Sequence, residues 1–270
     1  MSTALNLHAL LLLSDSALPL GSFAFSSGLE SYLAHTKSSS SNKHFPAATT
    51  NSSKAAAFEV FLEQSISNVA STAIPYLLNA YHHPSYENLG ALDNDFDAST
   101  PCTVARRASI TQGRALLMVW ERALRPTSQS QSADSGGRKA SEALSTFATA
   151  LKISKPDAHG LGLNGHFAPL FGLVCRALGL SEAEASYVFL LSHSKTVLSA
   201  AVRASVLGPY QSQAILAGTK LQGWLKGYVA REGRDEGCMR GGVEEAAVTI
   251  PVMDLWMGRH ELLYSRIFNS

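Results

Sequence analysis

The chain has 270 residues, 46 % of them hydrophobic, and 22 Lys and Arg against 21 Asp and Glu leave a formal net charge of +1. That apolar content suffices for a sizeable core in one large domain, while the small net charge and the lack of any Lys/Arg stripe exclude nucleic acid and anionic lipid as partners. Three cysteines, Cys102, Cys175 and Cys238, stand far apart with no C-x-x-C spacing, which argues against a disulfide scaffold or structural zinc and for a reducing cytoplasm.

In chain order, the first predicted element is an apolar helix over residues 8–13. It is too short to span a bilayer, lacks a basic flank and runs into Asp15, Ser16 and Pro19, so it reads as a core helix. The next stretch, 15–30, predicts a fixed corner between two helices. Pro19 and Gly21 set the turn, Ser27 and Glu30 bracket Gly28 in capping-box spacing, and Phe23 and Phe25 anchor it.

Four polar stretches, near 37–54, 84–101, 126–139 and 231–245, predict surface insertions in a single domain over 1–270. Between them, Phe58, Phe61, Leu62, Ile66, Val69, Ile74, Leu77 and Leu78 recur at helical spacing. A second helix is predicted over 104–124, with Ile110, Leu117, Trp120 and Leu124 on one side and Arg106, Arg107, Arg114 and Arg122 on the others. A third covers 141–151 and stops before Pro156.

Residues 167–178 predict a helix closed by Gly179, and Ser181 with Glu184 supplies the capping box of the next, the longest expected, which ends near Gly208-Pro209. Its Ser199-Ala200-Ala201 run keeps side chains small for close packing. No alternating strand pattern occurs, so the fold class is all-α: a single-domain helical bundle with polar loop insertions.

Three short motifs carry possible chemistry. Residues 160–165 fit G-x-G-x-x-G, but no buried strand precedes them, which favours a turn over a nucleotide site. Ser192 and Lys195 fit the S-x-x-K of a serine/lysine acyl-transfer enzyme, without the companion elements such enzymes carry. Nine histidines, with His82 and His83 adjacent and His159 and His166 seven apart, raise a nickel-binding alternative. Adjacent helical positions diverge by about 100 degrees, so solvent-exposed loop histidines are the expectation and no metal ligand is assigned. No catalytic residue is assigned either.

The last segment, 259–270, contains Arg259, His260, Glu261, Tyr264, Ser265, Arg266, Ile267 and Phe268. Leaving such large apolar side chains in water forgoes roughly 1.5–3 kcal/mol of burial each, so the tail is expected to dock, on this chain or on a partner.

The corner at 15–30, Gln112 to Leu117, Ser199 to Arg203 with Leu207-Gly208, and this tail together resemble the urease accessory protein UreF family, from beginning to end of the chain except for the polar insertions. Their Ser-rich character suggests a eukaryotic, fungal-type member. The resemblance implies an all-α, non-catalytic chaperone that binds a UreD/UreH-type partner through its tail. It further implies pairing with a second copy of itself, recruitment of the GTPase UreG, and nickel delivery to apo-urease, with nickel handled by the assembled complex and no cofactor stably bound. By the same resemblance, Arg259, His260, Glu261, Tyr264, Ser265, Arg266 and Phe268 are partner-binding candidates. Arg266 is expected to hold the tail through charge-assisted bonds, and Arg203 is a candidate for regulating the GTPase.

Overall fold

The computed structural model describes residues 2–39, 51–125, 134–153, 162–233 and 242–269. Among these residues the structure is helix and turn with no strand: α1 (Ser2–Ser14), α2 (Leu29–Ser39), α3 (Asn51–His82), α4 (Tyr86–Ser99), α5 (Thr103–Val119), α6 (Ser135–Ile153), α7 (Phe167–Ala177), α8 (Glu182–Arg203), α9 (Pro209–Ala217), α10 (Thr219–Glu232) and α11 (Pro251–Arg259). A π-helical turn, Trp120–Leu124, continues α5.

Two helices form the centre. Nearly every residue of α7 is buried, as a helix apolar on all sides requires, and it packs against α3, α5 and α6. The predicted stripe of α3 fills the other half of the core, with Phe58, Phe61, Leu62, Ile66, Ile74 and Leu77 out of solvent. At 32 residues α3 is also the longest helix, exceeding the 22 of α8, for which that rank was expected. Helix α8 starts as predicted. Ser181 Oγ accepts from Glu184 N (3.3 Å), and the Glu184 carboxylate returns to Ser181 N (2.8 Å).

The expected insertion at 84–101 is instead helix α4. Leu89, Leu92, Asp93 and Phe96 recur every three or four residues and are buried, a stripe hidden by the polar residues between them. Ser85 caps this helix by accepting from Asn88 N at 3.1 Å.

The other three polar stretches are partly helical. Helices α2 and α3 reach into 37–54 from both sides, and its 40–50 lie outside the described residues. Of 126–139, helix α6 takes the end, starting at Ser135 where the Asp134 carboxylate accepts Gly137 N, while 126–133 lie outside. Within 231–245, α10 reaches Glu232 and a short 3-10 turn forms at Val243–Glu245; 234–241 lie outside. Helix α1 buries only one side, through Ala9 and Leu13, and exposes Leu7 and Leu11, so it is a core helix on that side alone.

Pro75 sits inside α3. A proline cannot donate to the carbonyl four residues back, which here belongs to Ser71. That oxygen accepts Ala247 N instead (3.3 Å). Ile250 N reaches Asn68 Oδ1 nearby (3.2 Å), and Arg231 donates to Ser71 Oγ (3.0 Å). The freed backbone group thus anchors a strap over 246–250 that leads into α11 and sets where the tail begins.

Candidate functional site

The corner at 15–30 turns through Gly21 (φ 69°), with Pro19 exposed beside it. It departs from the expected capping box. Ser27 has a left-handed backbone (φ 52°), α2 begins at Leu29, and the hydroxyl nearest Glu30 N is that of Ser26, at 3.4 Å. Two consecutive residues with positive φ, Ser27 and Gly28, displace the serine from the cap position. Gly28 (φ 84°) is required for a second reason, since a Cβ there would lie 3.2 Å from Met257 N and from Trp256 Cβ of α11. The corner and α11 therefore touch backbone to backbone. Of the two expected anchors, Phe25 is buried, whereas Phe23 is 66 % exposed.

Freed from capping, the Glu30 carboxylate serves the tail. Its Oε1 accepts Ile267 N at 2.7 Å, and its Oε2 accepts His260 Nε2 at 2.9 Å and Phe268 N at 3.2 Å. Asn269 N donates to Ala24 O of the corner (2.8 Å). Phe268 is 4 % exposed, and the Arg203 guanidinium lies 4.3 Å from its ring centroid, close enough for a cation–π contact. Arg203 also donates to Phe23 O. The end of α8, the corner and the tail thus meet at one junction.

Arg266 makes a charge-assisted bond, but within the tail, to Glu261 Oε2 at 2.9 Å. The group that ties this pair to the body is Arg107 of α5, which donates to Glu261 Oε1 and to Asn269 O (3.2 Å). The bonds from Arg107 and Arg266 hold the Glu261 carboxyl below its usual value. Sequence reasoning missed Arg107, because it is one of three arginines on α5 and nothing local links it to a residue 154 positions away.

The remaining tail side chains divide into two sets. His260 and Phe268 are buried, while Arg259, Leu262, Tyr264, Ser265 and Ile267 face solvent. The tail is moored by its buried members and displays the others.

Beneath the corner and α11 lies a cavity of about 230 Å³ whose walls include Phe25, Tyr76, Ser192, His193, Met253 and Asp254. His193 is half-buried, bonded through Nε2 to Ser65 Oγ at 2.8 Å, and desolvation lowers its pKa to about 4. Desolvation raises the Asp254 carboxyl above its ordinary value. Lys195 does not serve Ser192. Its ammonium donates to Ser14 O at 2.6 Å and joins α8 to α1.

Most of the described histidines are not the exposed loop residues expected. His166 and His260 are buried, His193 is half-buried, and His82 ends α3 within 2.7 Å of Glu182. Only His83 of the adjacent pair is exposed, and His159 lies outside the described residues. No three His, Cys, Asp or Glu side chains among the described residues are placed to share a metal ion. The described part of the glycine-rich motif already holds an anion of its own chain, the Asp93 carboxylate. It accepts Asn164 N (2.6 Å), Gly165 N (2.9 Å) and His166 N (2.7 Å).

The chain matches the model of the family described as UreF over residues 52–220. A protein of Schizosaccharomyces pombe called "Uncharacterized urease accessory protein UreF-like" is 34 % identical over 269 residues, covering 97 % of each chain. "Urease accessory protein 6" of Cryptococcus neoformans var. grubii is 28 % identical over 99 % of this chain and 98 % of its own. "Urease accessory protein F" of Arabidopsis thaliana is 28 % identical over 95 % of this chain and 89 % of its own. The chain belongs to the UreF family.

Proposed function

We propose that this UreF-family chain is a non-catalytic chaperone of urease maturation whose moored tail docks a UreD/UreH-type accessory protein. The assembly, containing two copies of the chain, recruits and regulates the GTPase UreG so that nickel is inserted into apo-urease. The observation that carries this reading is the division within the tail: His260 and Phe268 fix it to the body while Tyr264 and Ile267 stand in water. A moored apolar surface binds with less ordering cost than a mobile one. Arg259, Glu261, Ser265 and Arg266 rim that surface with polar groups, as protein interfaces commonly are.

A scaffold of this kind needs differential affinity for one state of the GTPase and no chemistry of its own. Arg203, at the end of α8 beside Phe268, is the residue to which we assign influence on the GTPase. A cytoplasmic setting is part of this reading. Cys102 and Cys175 are free thiols, burial pushes Cys175 well above its ordinary pKa, and no helix among the described residues is long and apolar enough to cross a membrane.

Replacing Tyr264 and Ile267 by Ala together alters only exposed side chains. The variant should keep its helical content yet lose co-purification with the UreD-type partner, and retained binding would contradict the docking role. Arg203→Ala should keep its fold but lower urease activation, read as the nickel content of urease produced with it; a normal nickel load removes Arg203 from the mechanism.

A further inference from the structure

We propose that Glu30 is the positioning residue that builds the docking surface, by seating the tail on the corner so that a partner reads side chains of both at once. The proposal rests on the docking role of the tail given above and extends it to a second segment of the chain.

One carboxylate, with its side chain 12 % exposed, accepts three N–H groups from the tail, two from backbone and one from an imidazole. Only an acceptor with two equivalent oxygens and no proton of its own can serve all three. The seating has a geometric result. Asn269 N reaches Ala24 O, next to Phe23, while Arg203 bridges the Phe23 carbonyl and the Phe268 ring. Phe23 and Ile267, each about two-thirds exposed, therefore flank the same junction although 244 positions separate them in sequence.

The surface that results is apolar, with Arg259 exposed at one side and making no ion pair among the described residues. The complementary face of the accessory partner is an apolar groove with a carboxylate on its rim. Binding to a tail already held in place avoids the cost of ordering it at the moment of association.

The test compares the full chain with Glu30→Gln, Phe23→Ser and the Tyr264→Ala/Ile267→Ala pair. The readouts are the Kd for the UreD-type protein by calorimetry, the rate of tryptic cleavage after Arg266, and the melting of the helical body. Glu30→Gln should bind at least about tenfold more weakly, the scale of losing hydrogen bonds to a charged group. Its tail should be cleaved faster while the body melts as before. Phe23→Ser should weaken binding with cleavage unchanged.

Wild-type affinity in Glu30→Gln or in Phe23→Ser overturns the composite surface. If Glu30→Gln does not fold, Phe23→Ser decides, because that ring is exposed. Normal binding by the Tyr264/Ile267 pair would instead remove the docking role itself. Weak binding by that pair with normal binding by the other two removes only the proposal made here.

Discussion

Asp93 illustrates what a single buried carboxylate does in this fold. With 1 % of its surface exposed it has no positively charged neighbour among its hydrogen-bond partners, and is satisfied by three successive backbone N–H groups of 164–166. Those bonds pin the start of α7 to α4. Asparagine at this position would retain one oxygen and turn an NH₂ toward donors, so Asp93→Asn should lower unfolding free energy by about 3 kcal/mol, measured by urea titration. The G-x-G-x-x-G letters were legible in the sequence, and the residues that precede their described part, 154–161, lie outside the described ones. That the occupying anion would come from residue 93 was not legible, because 84–101 reads as a polar insertion unless its three- and four-residue apolar spacing is weighed above its composition.

Among the elements, α3 and α7 approach so closely that Gly172 has no room for a side chain. A Cβ there would sit 2.1 Å from Leu77 O, a backbone atom that cannot move aside without displacing α3. Gly172→Ala should therefore cost at least about 1–3 kcal/mol of stability, the range of overpacked cores, read as a lower denaturation midpoint with unchanged slope.

Several helices and some of their ends were legible, since the Ser181/Glu184 box, the Gly179 stop and the Pro209 start are local chemistry, whereas α4, α10 and α11 were not predicted and α8 ends at Arg203, short of the expected Gly208-Pro209. The corner was half legible. Its turn was signalled by Pro19 and Gly21, yet the same letters that suggested a Ser27/Glu30 cap hid the true use of Glu30, which depends on N–H groups 230 to 238 residues away. The strap over Pro75 was unreadable for a similar reason. A proline announces that a carbonyl is freed, but not what will take it.

Across the whole molecule, the buried polar links between helices set how the fold responds to acid. His193 joins α8 to Ser65 of α3 and has a folded pKa of about 4, against the ordinary histidine value of about 6.5. Between about pH 6.5 and 4 the unfolded chain takes up a proton that the folded chain refuses, so stability is full above that window and falls through it as pH drops. The contribution is at most about 1.4 kcal/mol per pH unit and about 3 kcal/mol in all. His166 is lowered too, by burial working against the attraction of Asp93 and Asp97, and adds to the same trend. Urea unfolding at pH 7 and pH 4.5 should show a smaller acid loss in His193→Gln than in the natural chain. Equal losses would mean that His193 is not held neutral.

The Glu30 clamp also fixes an order of events during synthesis. Its acceptor is made early and the donors of 267 and 268 are made 237 and 238 residues later, after every described helix of the body has been synthesised. Contacts of such long separation close late in folding. A nascent chain therefore has nothing finished to offer an assembly partner until the bundle beneath is complete, and premature capture of half-made copies is avoided by geometry alone.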